Sequence, residues 1–351
     1  MEASFKKIFN GYVDALGDPE KVIRFKAEDG TDIGIFVTEY LEGDEEIITK
    51  LFFTIGAGNY VTSDSKKKIE LSFHAQENAD LPFSEIEVRL VELIKGFVKS
   101  KKKFLANEII HGPFLPNYSG YTIIYDHLFE AIAYNDNSNS FDIPILRVFP
   151  LFSEEIYDLE KVSFYARRPI LLEIDPGLSG LLQRNKYAFL TKNAVTKLWA
   201  DILNWHKEKK TQLWSVIQRK KQNELDFYSL ENLIEKDIPI DLKASWEIQN
   251  VRVYVSDYEY LDIEGVKYIV KPLNDYIWPK NLLPFARDSG GNTICVDLEK
   301  QKNEQIVLFE KSEGIIRINM YSFFNWLSAY RNDLKNGKYM VNEEGFLEEK
   351  I

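Results

Sequence analysis

Cysteine occurs once in the 351 residues, at Cys295, so the chain cannot close an intramolecular disulfide and must hold its fold by packing. Histidine is nearly as scarce. His74, His111, His127 and His206 lie far apart, with no zinc-finger spacing. No apolar run approaches the roughly 18 residues of a membrane span, and the opening Met1-Glu2-Ala3-Ser4-Phe5-Lys6-Lys7 lacks the apolar core of a signal peptide. A reducing cytoplasm is the expected setting. Catalytic motifs are missing too: there is no Gly-x-Ser-x-Gly elbow, no His-Glu-x-x-His, no phosphate-loop lysine and no kinase set. The chain therefore predicts no enzyme, no cofactor and no metal centre.

Basic residues are in deficit, 44 against 55 acidic, for a net charge of −11. The deficit is uneven. Residues 1–170 carry 28 acidic and 19 basic side chains, residues 171–245 carry 10 and 12, and residues 246–351 carry 17 and 13. Two acidic ends around a mildly basic middle argue against a nucleic-acid binder, which needs a basic face. They suit a basic protein partner.

Hydrophobic residues make up 45% and aromatics 14%, enough for two cores in a chain of this length. The most informative stretch is Leu282–Leu298. Asp288-Ser289-Gly290-Gly291-Asn292 is a turn signal between apolar segments, and Ile294, Val296 and Leu298 then alternate with Cys295, Asp297 and Glu299 as in a half-buried strand. Asp288 and Asp297 lack the alternating pattern of a calcium loop, and neither these glycines nor Gly56-x-Gly58 complete a phosphate-binding fingerprint.

Upstream, Ser4 stands where it could cap a helix whose apolar positions run from Phe5 to Leu16. Strands are expected at Ile33–Thr38, Leu51–Ile55, Lys68–His74, Tyr121–Tyr125, Ala131–Tyr134 and Ile143–Phe149. Ser84-x-x-Glu87 reads as a capping box opening a helix that Lys99–Lys103 closes. A long helix capped by Asn193 would carry Trp199 and Trp205 on its apolar stripe, where core packing explains them better than base stacking. Val251–Val255 and Val266–Val270 read as strands joined by a loop.

Two acidic clusters are candidate partner surfaces. Glu39, Glu42, Asp44, Glu45 and Glu46 crowd one loop with no base among them. Asp257, Tyr258, Glu259, Tyr260, Asp262 and Glu264 mix carboxylates with tyrosines in the other. Tyrosine supplies rigid contact area and carboxylates steer a basic partner. A solvated loop and an exposed hairpin explain the same residues.

Two family resemblances rest on named residues. Leu283-Pro284-Phe285-Ala286 with Asp288-Ser289-Gly290-Gly291-Asn292, Cys295 and Asp297, followed by strands at Gln305–Glu310 and Ile315–Asn319 and a helix carrying Ser322–Leu327, resembles the SUKH superfamily. Its helical opening corresponds to Tyr228–Glu235. Thr54-Ile55-Gly56, Ile69–Phe73, the helix from Ser84, His111-Gly112-Pro113 and above all Ile145 to Glu155 resemble the suppressor-of-fused domain. The resemblances imply a suppressor-of-fused-like module over 1–170, a helical bridge or extension over 171–224, and a SUKH-like module over 225–351. Each would be α+β, a mostly antiparallel sheet packed with helices. Both families imply protein binding, often immunity to bacterial toxins. The expectation is a bacterial immunity protein that neutralises a polymorphic toxin domain, with an intracellular regulatory scaffold as the alternative.

Overall fold

The computed structural model describes residues 3–41, 48–63, 67–76, 82–112, 115–116, 118–125, 131–136, 139–174, 190–214, 225–250, 252–255, 258–271, 278–299, 306–310, 312–318 and 320–350. It has two compact units, one built on Met1–Tyr157 and the other on Asp158–Ile174 and Phe189–Ile351. Both are α+β, as the sequence predicts.

The first unit runs α1 (Ala3–Leu16), β1 (Lys21–Lys26), β2 (Asp32–Leu41), β3 (Ile48–Ile55), β4 (Thr62–Ser63), β5 (Glu70–Gln76), α2 (Phe83–Ser100), β6 (Lys103–Phe104), β7 (Ile109–His111), β8 (Gly120–Tyr125), β9 (Ala131–Asp136), β10 (Asn139–Leu151) and α3 (Ser153–Leu159), whose last turn crosses into the second unit. The main sheet has the order β1-β2-β3-β5-β10-β8-β7, with β9 paired to the start of β10. Among the described residues, only β5 and β10 pair in parallel within it. Alternation along β3 sends successive rings to opposite faces. Phe53 joins Phe5, Ile8 and Tyr12 of α1, while Phe52 lines a small apolar gap with Leu90 and Ile94 of α2. The sheet is thus covered on both sides.

Helix α2 buries Ile86, Leu90, Ile94, Phe97 and Val98, a stripe at three- and four-residue spacing worth on the order of 10 kcal/mol before entropy. Its start differs from the expectation. Pro82 is the N-cap, no side chain caps the first turn, and Ser84 lies inside the helix, so the capping box does not form. Proline fixes an extended approach to the first turn, which sets the boundary two residues earlier. Ser4 likewise falls inside α1. Gly34 has a packing reason: a Cβ there would lie 2.9 Å from the Phe5 ring.

The second unit runs α4 (Arg167–Ile174), α5 (Leu190–Glu208), α6 (Phe227–Ile234), α7 (Ile240–Ile248), β11 (Val253–Val255), β12 (Tyr258–Tyr260), α8 (Ile263–Val270), β13 (Leu282–Arg287), β14 (Thr293–Asp297), β15 (Ile306–Glu310), β16 (Gly314–Arg317), α9 (Phe323–Lys335), β17 (Tyr339–Val341) and β18 (Leu347–Glu349). Strands β11 to β16 form an antiparallel meander in chain order, and β17 pairs with β18. The Asp288–Asn292 turn closes as its composition suggests. Asn292 N donates to Asp288 Oδ1 at 2.9 Å, and Gly291 takes a φ of +88° that a Cβ would penalise.

Helix α5, read from sequence as part of a bridge, packs within the second unit against α7 and α9. It begins at Leu190, and its Thr191 N–H donates to Asp158 Oδ2 at 2.6 Å, so the cap comes from 33 residues upstream and not from Asn193. Trp199 is fully buried, its Nε1 donating to Ser245 Oγ at 2.8 Å, and Ser245 Oγ lies 2.8 Å from Tyr260 Oη. Phe285 of β13 meets Phe323 and Trp326 of α9 edge-on. Arg331 clasps Glu173 and Asp201 at 2.7 and 3.0 Å, joining α4, α5 and α9.

Candidate interaction site

The segment read as a second strand, Val266–Val270, is helical in α8. The β-branched residues suggested a strand, yet Ile263, Val266 and Val270 share one buried helical face, and Asp262 caps the start by accepting from Gly265 N at 2.8 Å. The same oxygen accepts from Arg252 Nε at 2.8 Å. Gly265 leaves room for this arrangement. A Cβ would lie 2.8 Å from Asp262 Oδ1 and 3.1 Å from Arg252 Nε.

Across β12 and β13, Glu259 stands opposite Arg287, whose Nε donates to Glu259 Oε2 at 2.8 Å. On α8, Lys267 Nζ reaches Glu264 at 3.1 Å and Asp226, the N-cap of α6, at 2.8 Å. Partial burial works against the Lys267 charge, but those two hydrogen bonds outweigh it and hold its pKa above the usual lysine range. The hydrogen bond from Lys267 keeps the Asp226 carboxyl below its ordinary value.

These elements enclose an open groove of about 820 Å³ between α6, α8 and the sheet. Arg252, Lys267, Lys271 and Arg287 line it, with Glu264 as its acidic member and Leu233 and Tyr268 as its apolar ones. Tyr268 is 65% exposed, and Tyr254, two residues beyond Arg252 on the edge strand, is 60% exposed.

The acidic residues singled out from sequence have divergent fates. Tyr260 and Asp262 are buried, so neither is available to a partner surface; Tyr260 serves the core and Asp262 the α8 cap. Tyr258 and Glu259 are half-buried, and Glu264 is exposed. Glu259, Asp262 and Glu264 each already face a cation of their own unit. Asp257 lies outside the described residues. In the first unit Glu39 is exposed, 3.6 Å from Lys50, which Glu20 also holds at 2.7 Å. Glu42, Asp44, Glu45 and Glu46 lie outside the described residues. The groove cations were missed because they are scattered over 36 positions and α8 was assigned the wrong period; the Asp262-x-x-Gly265 cap was the signal available.

Gly56-x-Gly58 does cradle a carboxyl group, but the group is the chain's own. Glu70 Oε1 accepts from Gly56 N at 3.0 Å and Gly58 N at 3.2 Å, and Oε2 accepts from Thr54 Oγ1. Burial nevertheless pushes the Glu70 carboxyl up to about 7. Among the described residues no group of three or more histidine, cysteine or acidic side chains could hold a metal ion, and no helix is long and apolar enough to cross a membrane.

An α+β unit with an exposed groove of fixed charges is the setting in which the family comparison falls. Residues 197–329 match the model of the SMI1 / KNR4 family (SUKH-1), a span that contains every groove residue and supports a protein-interaction module. Among solved structures, the Sufu-Fu complex is similar at 10% identity and a TM-score of 0.40, covering 56% of this chain and 96% of that one. A putative SUFU homologue from Neisseria gonorrhoeae shows 12% identity and a TM-score of 0.37 over 52% and 96%, and Drosophila Suppressor of Fused 9% and 0.41 over 97% and 94%. No curated protein matches.

Proposed function

We propose that this chain is an immunity protein of the bacterial cytoplasm that binds a polymorphic toxin domain and neutralises it by covering its active surface. The observation that carries the reading is the SUKH-1 match over residues 197–329, on a unit with an open, charge-lined groove. The net charge of −11 favours a toxin with a basic surface, such as a nuclease. Charge of this sign raises the association rate by on the order of a hundredfold over a neutral pair and mimics the phosphates such a toxin binds. Glu39 and Glu264 are the exposed members of the proposed contact set, with Tyr258 and Glu259 half-buried beside them.

The test is a pull-down with tagged protein from the native lysate at low and moderate salt, followed by co-expression with whatever is recovered. Recovery of a secreted toxin's carboxy-terminal domain, and survival of cells expressing both, is the expected result. Recovery of housekeeping proteins alone would replace immunity with the regulatory scaffold. An on-rate indifferent to salt would remove the electrostatic part of the mechanism.

A further inference from the structure

Four cations line the groove in a chain whose overall charge has the opposite sign; Arg252, Lys267 and Arg287 are each held by a carboxylate of their own unit, and Lys271 forms no ion pair among the described residues. We propose that the groove binds an acidic segment of a partner protein, its carboxylates meeting Arg252, Lys271 and Arg287 and its apolar side chains meeting Tyr268 and Leu233. This goes beyond the immunity reading. It gives the second unit a specificity opposite to that of the acidic chain, and it holds whether or not the partner is a toxin.

The guanidinium groups are pre-organised. Arg287 directs Nε and Nη2 onto one oxygen of Glu259, and Arg252 is seated by Asp262 against Gly265, where a Cβ would collide. A guanidinium has five N–H donors, so an edge engaged by the chain's own carboxylate leaves donors for a second one. Side chains already fixed lose little entropy on binding. Lys271 is exposed and forms no ion pair among the described residues. Tyrosine and arginine are also among the residue types on which interface energy concentrates.

The occupant is a peptide segment in preference to a nucleic acid. Glu264 stands in the wall, and Glu259, Asp262 and Asp226 pair with Arg287, Arg252 and Lys267, so the field beyond a Debye length of about 8 Å is not that of a basic face. A few carboxylates read at contact distance suit such a site; a long run of phosphates does not.

The test titrates the full-length protein into a fluorescein-labelled peptide of alternating glutamate and tyrosine, read by anisotropy. A peptide with lysine in place of glutamate and an oligothymidylate of equal length serve as comparison probes. The acidic peptide should bind, and Lys271→Glu and Tyr268→Ser should each weaken it about tenfold. Both positions are exposed, and unchanged tryptophan fluorescence melts would show the variants folded. Equal binding of the lysine peptide, or variants that bind like the parent, would overturn the proposal. Tighter binding of oligothymidylate with the same losses would replace the peptide by a nucleic acid. No toxin enters the assay, so its outcome and that of the immunity test are separate.

Discussion

Each unit buries a carboxylate with no cation beside it among the described residues, and the two are compensated differently. In the first, Glu70 lies in the backbone nest of Gly56 to Gly58 and also takes a hydroxyl from Thr54. In the second, Asp241 accepts from Leu242 N in its own helix and, through Oδ2, from Phe324 N at 3.0 Å in the first turn of α9. Both are pushed up, Glu70 to about 7 and Asp241 to about 6, with burial the dominant cause. Oriented N–H groups repay only part of what burial takes from an anion. The second unit adds a counterweight, His206, enclosed by Thr211 and Tyr330 and pushed down by burial to about 4.

The comparison can be broken most forcefully at the cores. Phe53→Ala, in the first unit, should lose about 4 kcal/mol of stability by cavity formation. All six tryptophans fall between Trp199 and Trp326, so fluorescence reports the second unit alone and far-UV circular dichroism reports both. The expected result is an early dichroism transition with the fluorescence midpoint in place; a fluorescence midpoint that moves as far would make the two units one cooperative block.

Next in size is Glu70. Its folded pKa exceeds the unfolded value of 4.5, so its contribution is fully present below that pH and is lost as pH rises through about 7, on the order of 3 kcal/mol in all. Glu70→Gln should flatten that stretch of the first unit's stability curve. An unchanged slope between pH 4.5 and 7 would mean the group does not titrate there.

In the second unit the slopes oppose. His206 contributes stability above its unfolded value of 6.5 that is lost as pH falls toward about 4, whereas Asp241 contributes stability below 3.8 that is lost as pH rises through about 6. Asp241→Asn should therefore uncover the histidine, and the fluorescence-detected unit should weaken by about 2 kcal/mol on acidification across that window. A variant as flat as the parent would show that the two groups do not offset one another. The smallest expected effect is Lys271→Glu, which should move stability by less than about 0.5 kcal/mol, because the residue is exposed. A larger loss would mean Lys271 supports the fold and is not reserved for recognition.

Local patterns were the legible part. The Asp288–Asn292 turn, its flanking strands and the presence of helices α2 and α9 are short-range consequences of glycine conformation and apolar periodicity and are found as read, whereas β14 is buried on both faces and the buried stripe of α2 runs through Ile86, Leu90 and Ile94 with Val88 exposed. What depended on distant partners was not legible. Asp158 capping α5, and Trp199, Ser245 and Tyr260 hydrogen-bonded in a row, join residues that only the fold brings together. At α8 the composition favoured a strand and the buried face decided for a helix, which turned a presumed acidic loop into the wall of a cation-lined groove. Counting charges along the chain found the acids; it could not show that their neutralising bases were already at hand.

Gly265 carries one more consequence. Any side chain there meets Asp262 and Arg252 together, whereas Tyr268, one helical turn on, is more than half exposed. A saturation library selected for abundance alone should keep Gly265 and let Tyr268 drift, and the same library selected for partner capture should hold both. The difference between those two frequency maps would trace the boundary between what the domain needs to exist and what it needs to recognise.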